Sequence, residues 1–224
     1  MRIVLYGDSM TEYLHAPPRV LTEHLQRHDP GRSFEALNYG VGATRAELVL
    51  YRMLFEYWHG RQKMLPLSVL QPDVIVLESC AGNNGMDRED GLKDFTNIWD
   101  QIITACRTHA PAARIITHLS IASSPRVPEE NANRLFFRAG PEIFAYRHHW
   151  RTVYQDVFAG WATRNGLEFV DVRSRVVEME KTGTPRQNWI AADGVHPNAA
   201  GVDLISSMLS SAIAPGRQQE GSGV

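Results

Sequence analysis

The chain reads as an α/β protein, a parallel sheet of five strands with helices on both faces. Short β-rich apolar runs alternate with segments whose apolar residues recur at helical spacing. The alternation continues along nearly all of the 224 residues, which argues for repeated strand–helix units rather than for hairpins. Right-handed crossovers then set the carboxyl ends of the strands, and the loops that follow them, along one edge, where open α/β sheets bind their ligands.

The predicted strands are Arg2–Tyr6, Phe34–Tyr39, Val74–Ser79, Arg114–Ser120 and Leu167–Val172. Between them run Val20/Leu21/Leu25, then Leu48/Met53/Leu54/Tyr57, then Phe95/Ile98/Ile102/Ala105, each with helical periodicity. Trp150/Val153/Tyr154/Val157/Trp161 and Val202/Ile205/Met208/Leu209 complete the set. Gly60–Gln71, with Pro66, and Ala122–Ala145, with Pro125, Pro128 and Pro141, fit no element and read as long loops. The second is a candidate substrate-facing segment. Residues 1–214 are expected to form one domain, and 215–224 a polar, glycine-rich, disordered tail.

Composition narrows the function classes. Apolar residues make up 43% and charged residues 21%, with a formal net charge of -2, so no electrostatic footprint for nucleic acid or an anionic membrane is visible. No apolar run approaches the roughly 18 residues of a membrane span. The two cysteines, Cys80 and Cys106, lie in no CxxC or Cys/His spacing and read as reduced, buried thiols. Arg2–Tyr6 already reads as a core strand, leaving no room ahead of it for a signal peptide. A cytoplasmic chain is expected, or a secreted one whose leader has been removed.

Gly7-Asp8-Ser9 follows the first strand. Glycine permits a sharp turn, and the serine then stands where a helix begins, beside unpaired N–H groups. Alone, the tripeptide is better read as an ordinary turn with serine as helix N-cap. Near the other end stands Asp193-Gly194-Val195-His196-Pro197, just before the last helical segment. A serine hydroxyl needs a base to take its proton, and that base needs an acceptor on its other nitrogen. Asp193 can fix Nδ1–H of His196 and free Nε2 for Ser9. Two further loops on the same edge, Asn38–Thr44 and Cys80–Gly85, offer glycine N–H groups and asparagine amides, the donors that acyl transfer needs where charge develops. Turn chemistry explains each stretch in isolation but not all four together.

In order and position after successive strands, Gly7-Asp8-Ser9, the Gly42 loop, the Asn83 loop and Asp193-x-x-His196 resemble the four blocks of SGNH (GDSL-like) hydrolases. The resemblance spans Arg2 to about Leu209. It implies a three-layer α/β/α sandwich, a five-stranded parallel sheet in flavodoxin-like order, and a serine esterase with Ser9 as nucleophile, His196 as base and Asp193 as orienting acid. It further implies an oxyanion hole from the Ser9 and Gly42 N–H groups and the Asn83 side chain. The third block departs from the usual Gly-x-Asn-Asp, reading Ala81-Gly82-Asn83-Asn84, so Asn84 competes with Asn83. The second block is one residue short, and counting from Asn38 lands on Ala43 rather than Gly42.

No G-x-S-x-G elbow, Walker A loop or complete G-x-G-x-x-G is present. The expected partner is a small-molecule ester, with no cofactor, metal or nucleic acid; nothing in the sequence indicates an oligomeric state. Rival readings are an acyltransferase or carbohydrate deacetylase on the same site, a phosphate or metal enzyme built on Asp8, Asp193 and His196, and a non-catalytic binding module.

Overall fold

The computed structural model describes residues 1–124 and 141–215. Five strands, β1 (Arg2–Tyr6), β2 (Glu35–Asn38), β5 (Val74–Glu78), β6 (Arg114–Leu119) and β7 (Glu168–Asp171), form a parallel sheet in the order β2-β1-β5-β6-β7. Counted among themselves these strands run 2-1-3-4-5, the flavodoxin-like order, and each agrees with its sequence prediction to within one residue at either end.

Period-two alternation divides the core. Val4 and Tyr6 of β1 join Ile75 and Leu77 of β5 on one face, while Ile3 and Leu5 join Val74 and Val76 on the other. Residues buried on both faces are what a parallel sheet covered by helices requires. The first face is covered by α3 (Ala46–Leu54), α4 (Leu67–Leu70), α6 (Leu92–His109) and α7 (Pro141–Arg164). The second is covered by α2 (Arg19–His28), α8 (Val172–Lys181) and α9 (Ala199–Ile213). Two single-turn helices, α1 (Ser9–Glu12) and α5 (Ala81–Asn84), stand at the carboxyl ends of β1 and β5.

Two sequence readings change. The segment read as one helical run through Tyr57 ends at Leu54, and Tyr57 begins β3 (Tyr57–His59), which pairs antiparallel with β4 (Gln62–Met64). Leu48, counted on the apolar face, is 48% exposed; the buried stripe of α3 is Ala46, Val49, Arg52 and Met53. Gly60–Gln71, read as a loop, holds β4 and α4. The hairpin is too short to show period two over several residues, the signal on which a strand reading rests. Most of 122–145 lies outside the described residues, as does the tail beyond Pro215, so the expectations for both are not addressed. Cys80 and Cys106 are buried and unpaired. Among the described residues no helix is long and apolar enough to cross a membrane.

An aromatic cluster fixes α7 against α6. Phe158 packs 4.7 Å from the Trp99 ring and 5.5 Å from that of Trp161, centroid to centroid. Trp161 Nε1 donates to Asp100 Oδ1 at 2.7 Å. Phe158 is fully buried. Phe158→Ala should therefore lower unfolding free energy by about 3–5 kcal/mol, read as a shifted urea midpoint at unchanged m-value.

Candidate active site

Gly7 is where the chain leaves β1, and only glycine fits there. A Cβ on it would collide with Thr11 Oγ1 and stand 2.7 Å from Glu78 Cβ. The next residue, Asp8, caps α1, its Oδ1 accepting the Met10 N–H at 2.8 Å, and Ser9 opens the turn. The helix beginning at Ser9 is a single turn that ends at Tyr13, and α2 starts only at Arg19. Its contribution to an anion is therefore local N–H groups rather than a long helix dipole.

The loop before α9 is built around one carboxylate. Asp193 Oδ1 accepts the Val195 N–H at 2.8 Å and the His196 N–H at 3.0 Å, folding Asp193–His196 into a tight turn with Gly194 at φ 71°. Asp193 Oδ2 lies 2.7 Å from His196 Nδ1, and His196 Nε2 lies 2.9 Å from Ser9 Oγ. Burial pushes the Asp193 carboxyl up, but hydrogen bonds from the His196 ring, the His196 N–H and the Val195 N–H outweigh it and hold the pKa at about 2. Tyr13 lies parallel to the imidazole, with ring centroids 4.3 Å apart and planes 2° apart. The ring is thus held by a hydrogen bond at each nitrogen and a stacked face.

The loop after β2 brings Gly42 beside Ser9; a Cβ on Gly42 would stand 3.6 Å from Ser9 Cβ. The Gly42 N–H donates to Glu12 Oε2 at 2.9 Å. The buried Arg52 anchors this loop, donating to Thr44 Oγ1 at 3.0 Å and to the Gly7 carbonyl at 2.8 Å. In the turn after β5, Asn83 Nδ2 donates to Asp8 Oδ2 at 2.7 Å, which leaves its second N–H for another acceptor. Asn84 is engaged elsewhere: it is buried, and its Oδ1 accepts the Ala46 N–H at 3.0 Å, tying the turn to the start of α3. Of the two candidate amides, Asn83 is the one coupled to the Ser9 turn.

Sequence reasoning missed what lies beneath. Asp8 and Glu78 are both buried and face each other. Glu78 accepts from Ser79 Oγ at 2.7 Å and the Cys80 N–H at 2.9 Å. Burial, then the neighbouring Asp8 charge, pushes Glu78 up to about 8; burial also raises Asp8, while the Met10 N–H and the Arg151 guanidinium pull it back. Both carboxyls are thus held above their ordinary range by burial. Gly82 leaves room for Arg151 over the turn: a Cβ there would be 3.2 Å from Arg151 Nε and 3.5 Å from Asp8 Oδ2. The available signal was an acid at the end of the all-apolar run Val74–Leu77.

Asp8, Glu78 and Cys80 are the group of possible metal ligands closest together among the described residues, their donor atoms within 4.8 Å. Their oxygens are engaged within the protein, Asp8 accepting from the Met10 N–H and Asn83 Nδ2 and Glu78 from Ser79 Oγ and the Cys80 N–H. Asp8, Asp193 and His196, the trio of the metal rival, do not come together as a ligand group.

The GDSL-like Lipase/Acylhydrolase family matches residues 5–204. No curated protein matches the chain. Similar solved structures include LAE5, an alpha/beta hydrolase enzyme from the metagenome of Lake Arreo, Spain (19% identity, TM-score 0.65, covering 94% of each chain). An acetyl xylan esterase, AlAXEase, is 15% identical with a TM-score of 0.69, covering 95% of this chain and 100% of its own. A catalytic mutant of an acetylxylan esterase from Geobacillus stearothermophilus is 16% identical with a TM-score of 0.63, covering 93% and 91%. At these identities the likeness establishes the common three-layer fold.

The carboxyl pair makes a pH prediction. Glu78 titrates at about 8 in the fold against 4.5 ordinarily, so the stability it contributes is complete below about pH 4.5 and is lost as pH rises through about 8. Glu78→Gln should flatten the fall in urea midpoint between those values. It should also remove an alkaline loss of activity near pH 8, where a second charge beside Asp8 disturbs Asn83. An identical pH profile in the variant would contradict the raised titration of Glu78.

Proposed function

The chain belongs to the GDSL-like lipase/acylhydrolase family, and from that premise we propose that it is a serine esterase acting on short-chain acyl or acetyl esters through an acyl-enzyme. The observation that carries this reading is the unbroken chain of contacts from Asp193 through His196 to Ser9, 2.7 Å and 2.9 Å long. Ser9 Oγ attacks the ester carbonyl as its proton passes to His196 Nε2. Asp193, ionised at any neutral pH, stabilises the imidazolium and holds its tautomer. The tetrahedral oxyanion is received by the Ser9 and Gly42 N–H groups and by the free N–H of Asn83. His196 then protonates the leaving alcohol, and water repeats the sequence to release the acid and restore Ser9. Likeness to two acetyl xylan esterases supports acetylated carbohydrates as the substrates to try first.

Ser9→Ala should reduce turnover of p-nitrophenyl acetate by several orders of magnitude while the circular dichroism and melting temperature stay as in wild type. Wild-type-like turnover by the purified variant would overturn the reading. Asn83→Ala should cost about 3 kcal/mol of transition-state stabilisation, falling on kcat rather than KM because the oxyanion forms after binding. Asn84→Ala should instead lower the melting temperature, since it releases the buried start of α3. If Asn84→Ala is the more damaging to kcat, the two amides exchange roles.

A further inference from the structure

Glu12 stands where the proposed chemistry needs an empty N–H. One turn beyond Ser9 on α1, its Oε2 takes the Gly42 N–H at 2.9 Å, while its Oε1 lies 3.3 Å from Nε2 of His59 at the end of β3. The two side chains are 42% and 45% exposed, so the pair forms a wall at the mouth of the site rather than part of its floor. A Cβ on Gly42 would lie 2.7 Å from Glu12 Oε2 and 3.6 Å from Ser9 Cβ, which fixes the carboxylate beside the reacting centre.

A developing oxyanion and this carboxylate cannot both hold the Gly42 N–H. Like charges at such separation in a partly desolvated site repel strongly. Glu12 must therefore withdraw when substrate enters, and its other oxygen already faces His59, which can retain it. Withdrawn by a single side-chain rotation, the carboxylate still borders the ester. Its chemistry there is one-sided: it accepts hydrogen bonds and repels anions.

We propose, on the strength of the esterase reading above, that Glu12 is a specificity-determining residue: tethered by His59, it yields Gly42 to neutral esters, accepts a hydrogen bond donated by a hydroxyl of a polyhydroxylated alcohol, and rejects esters that carry an anion beside the scissile carbonyl. No bond is made or broken by Glu12 itself. The class selected is that of neutral, hydroxyl-bearing esters; acidic hemiesters are excluded.

The test compares methyl acetate with methyl hydrogen succinate, whose acyl chain ends in a carboxylate, followed by acid release in a pH-stat, in wild type, Glu12→Gln and Glu12→Asp. Wild type should favour the acetate at least 100-fold in kcat/KM. Glu12→Gln keeps the shape without the charge and should shrink that ratio tenfold or more, mainly by lowering KM for the succinate. Glu12→Asp should retain most of the discrimination. A residue that merely latched the Gly42 loop would change both substrates alike, so a ratio unaltered in Glu12→Gln overturns the proposal. The two readings fail separately. Acetate turnover that survives Ser9→Ala removes the esterase reading and this inference with it, whereas turnover lost in Ser9→Ala with an unaltered charge ratio in Glu12→Gln removes the inference alone.

Discussion

The buried Asp8 carboxyl is the constraint around which the site is arranged. A carboxyl removed from water must find hydrogen-bond donors or a proton. Asp8 finds the Met10 N–H and the Asn83 amide, with the Arg151 guanidinium pulling against its burial. The first contact starts the helical turn that carries Ser9, and the second orients the side chain of the neighbouring loop. β1 and β5 are adjacent and parallel, with Tyr6 opposite Leu77, so their carboxyl ends emerge side by side and one short side chain spans them. Sheet order and satisfied polarity thus specify the same geometry.

Much of this was legible because it is written in patterns that local physics enforces. The central strands β1 and β5, buried on both faces, give nearly unbroken apolar runs, and all five strands were found within a residue of their observed ends. Gly7-Asp8-Ser9 and Asp193-x-x-His196 were legible for a different reason, since few residue types supply a nucleophile, a base and an acceptor. The Asn83 and Asn84 alternative could not be separated by spacing alone; the hydrogen bond from Ala46 N–H to Asn84 Oδ1, which supports the choice of Asn83, joins residues 38 positions apart.

What remained hidden is long-range and polar. Nothing local to Arg52 indicates that it lies under the sheet edge holding the Gly7 carbonyl and Thr44, and helical periodicity places it on an apolar stripe as though it were aliphatic. Arg151 reaches Asp8 from α7, and Glu12 meets His59 across a hairpin too short to be legible. Such contacts depend on tertiary arrangement, so a sequence shows the charged residue without its partner. The small hairpin was missed because three-residue strands are below the length at which alternation can be recognised.

The proposed base and its acid lie three residues apart, whereas the proposed nucleophile lies 187 residues away. The Asp193–His196 turn is held by the Asp193 carboxylate on its own neighbouring N–H groups and closes a short loop, at little entropic cost. Its meeting with Ser9 closes the chain nearly end to end, a contact of very high sequence separation that waits for β1, the centre of the sheet and the last helix to assemble. On the proposed reading, hydrolytic competence is therefore a property of the completed topology. A refolding chain would acquire it only when the first strand and the final loop have found the same edge.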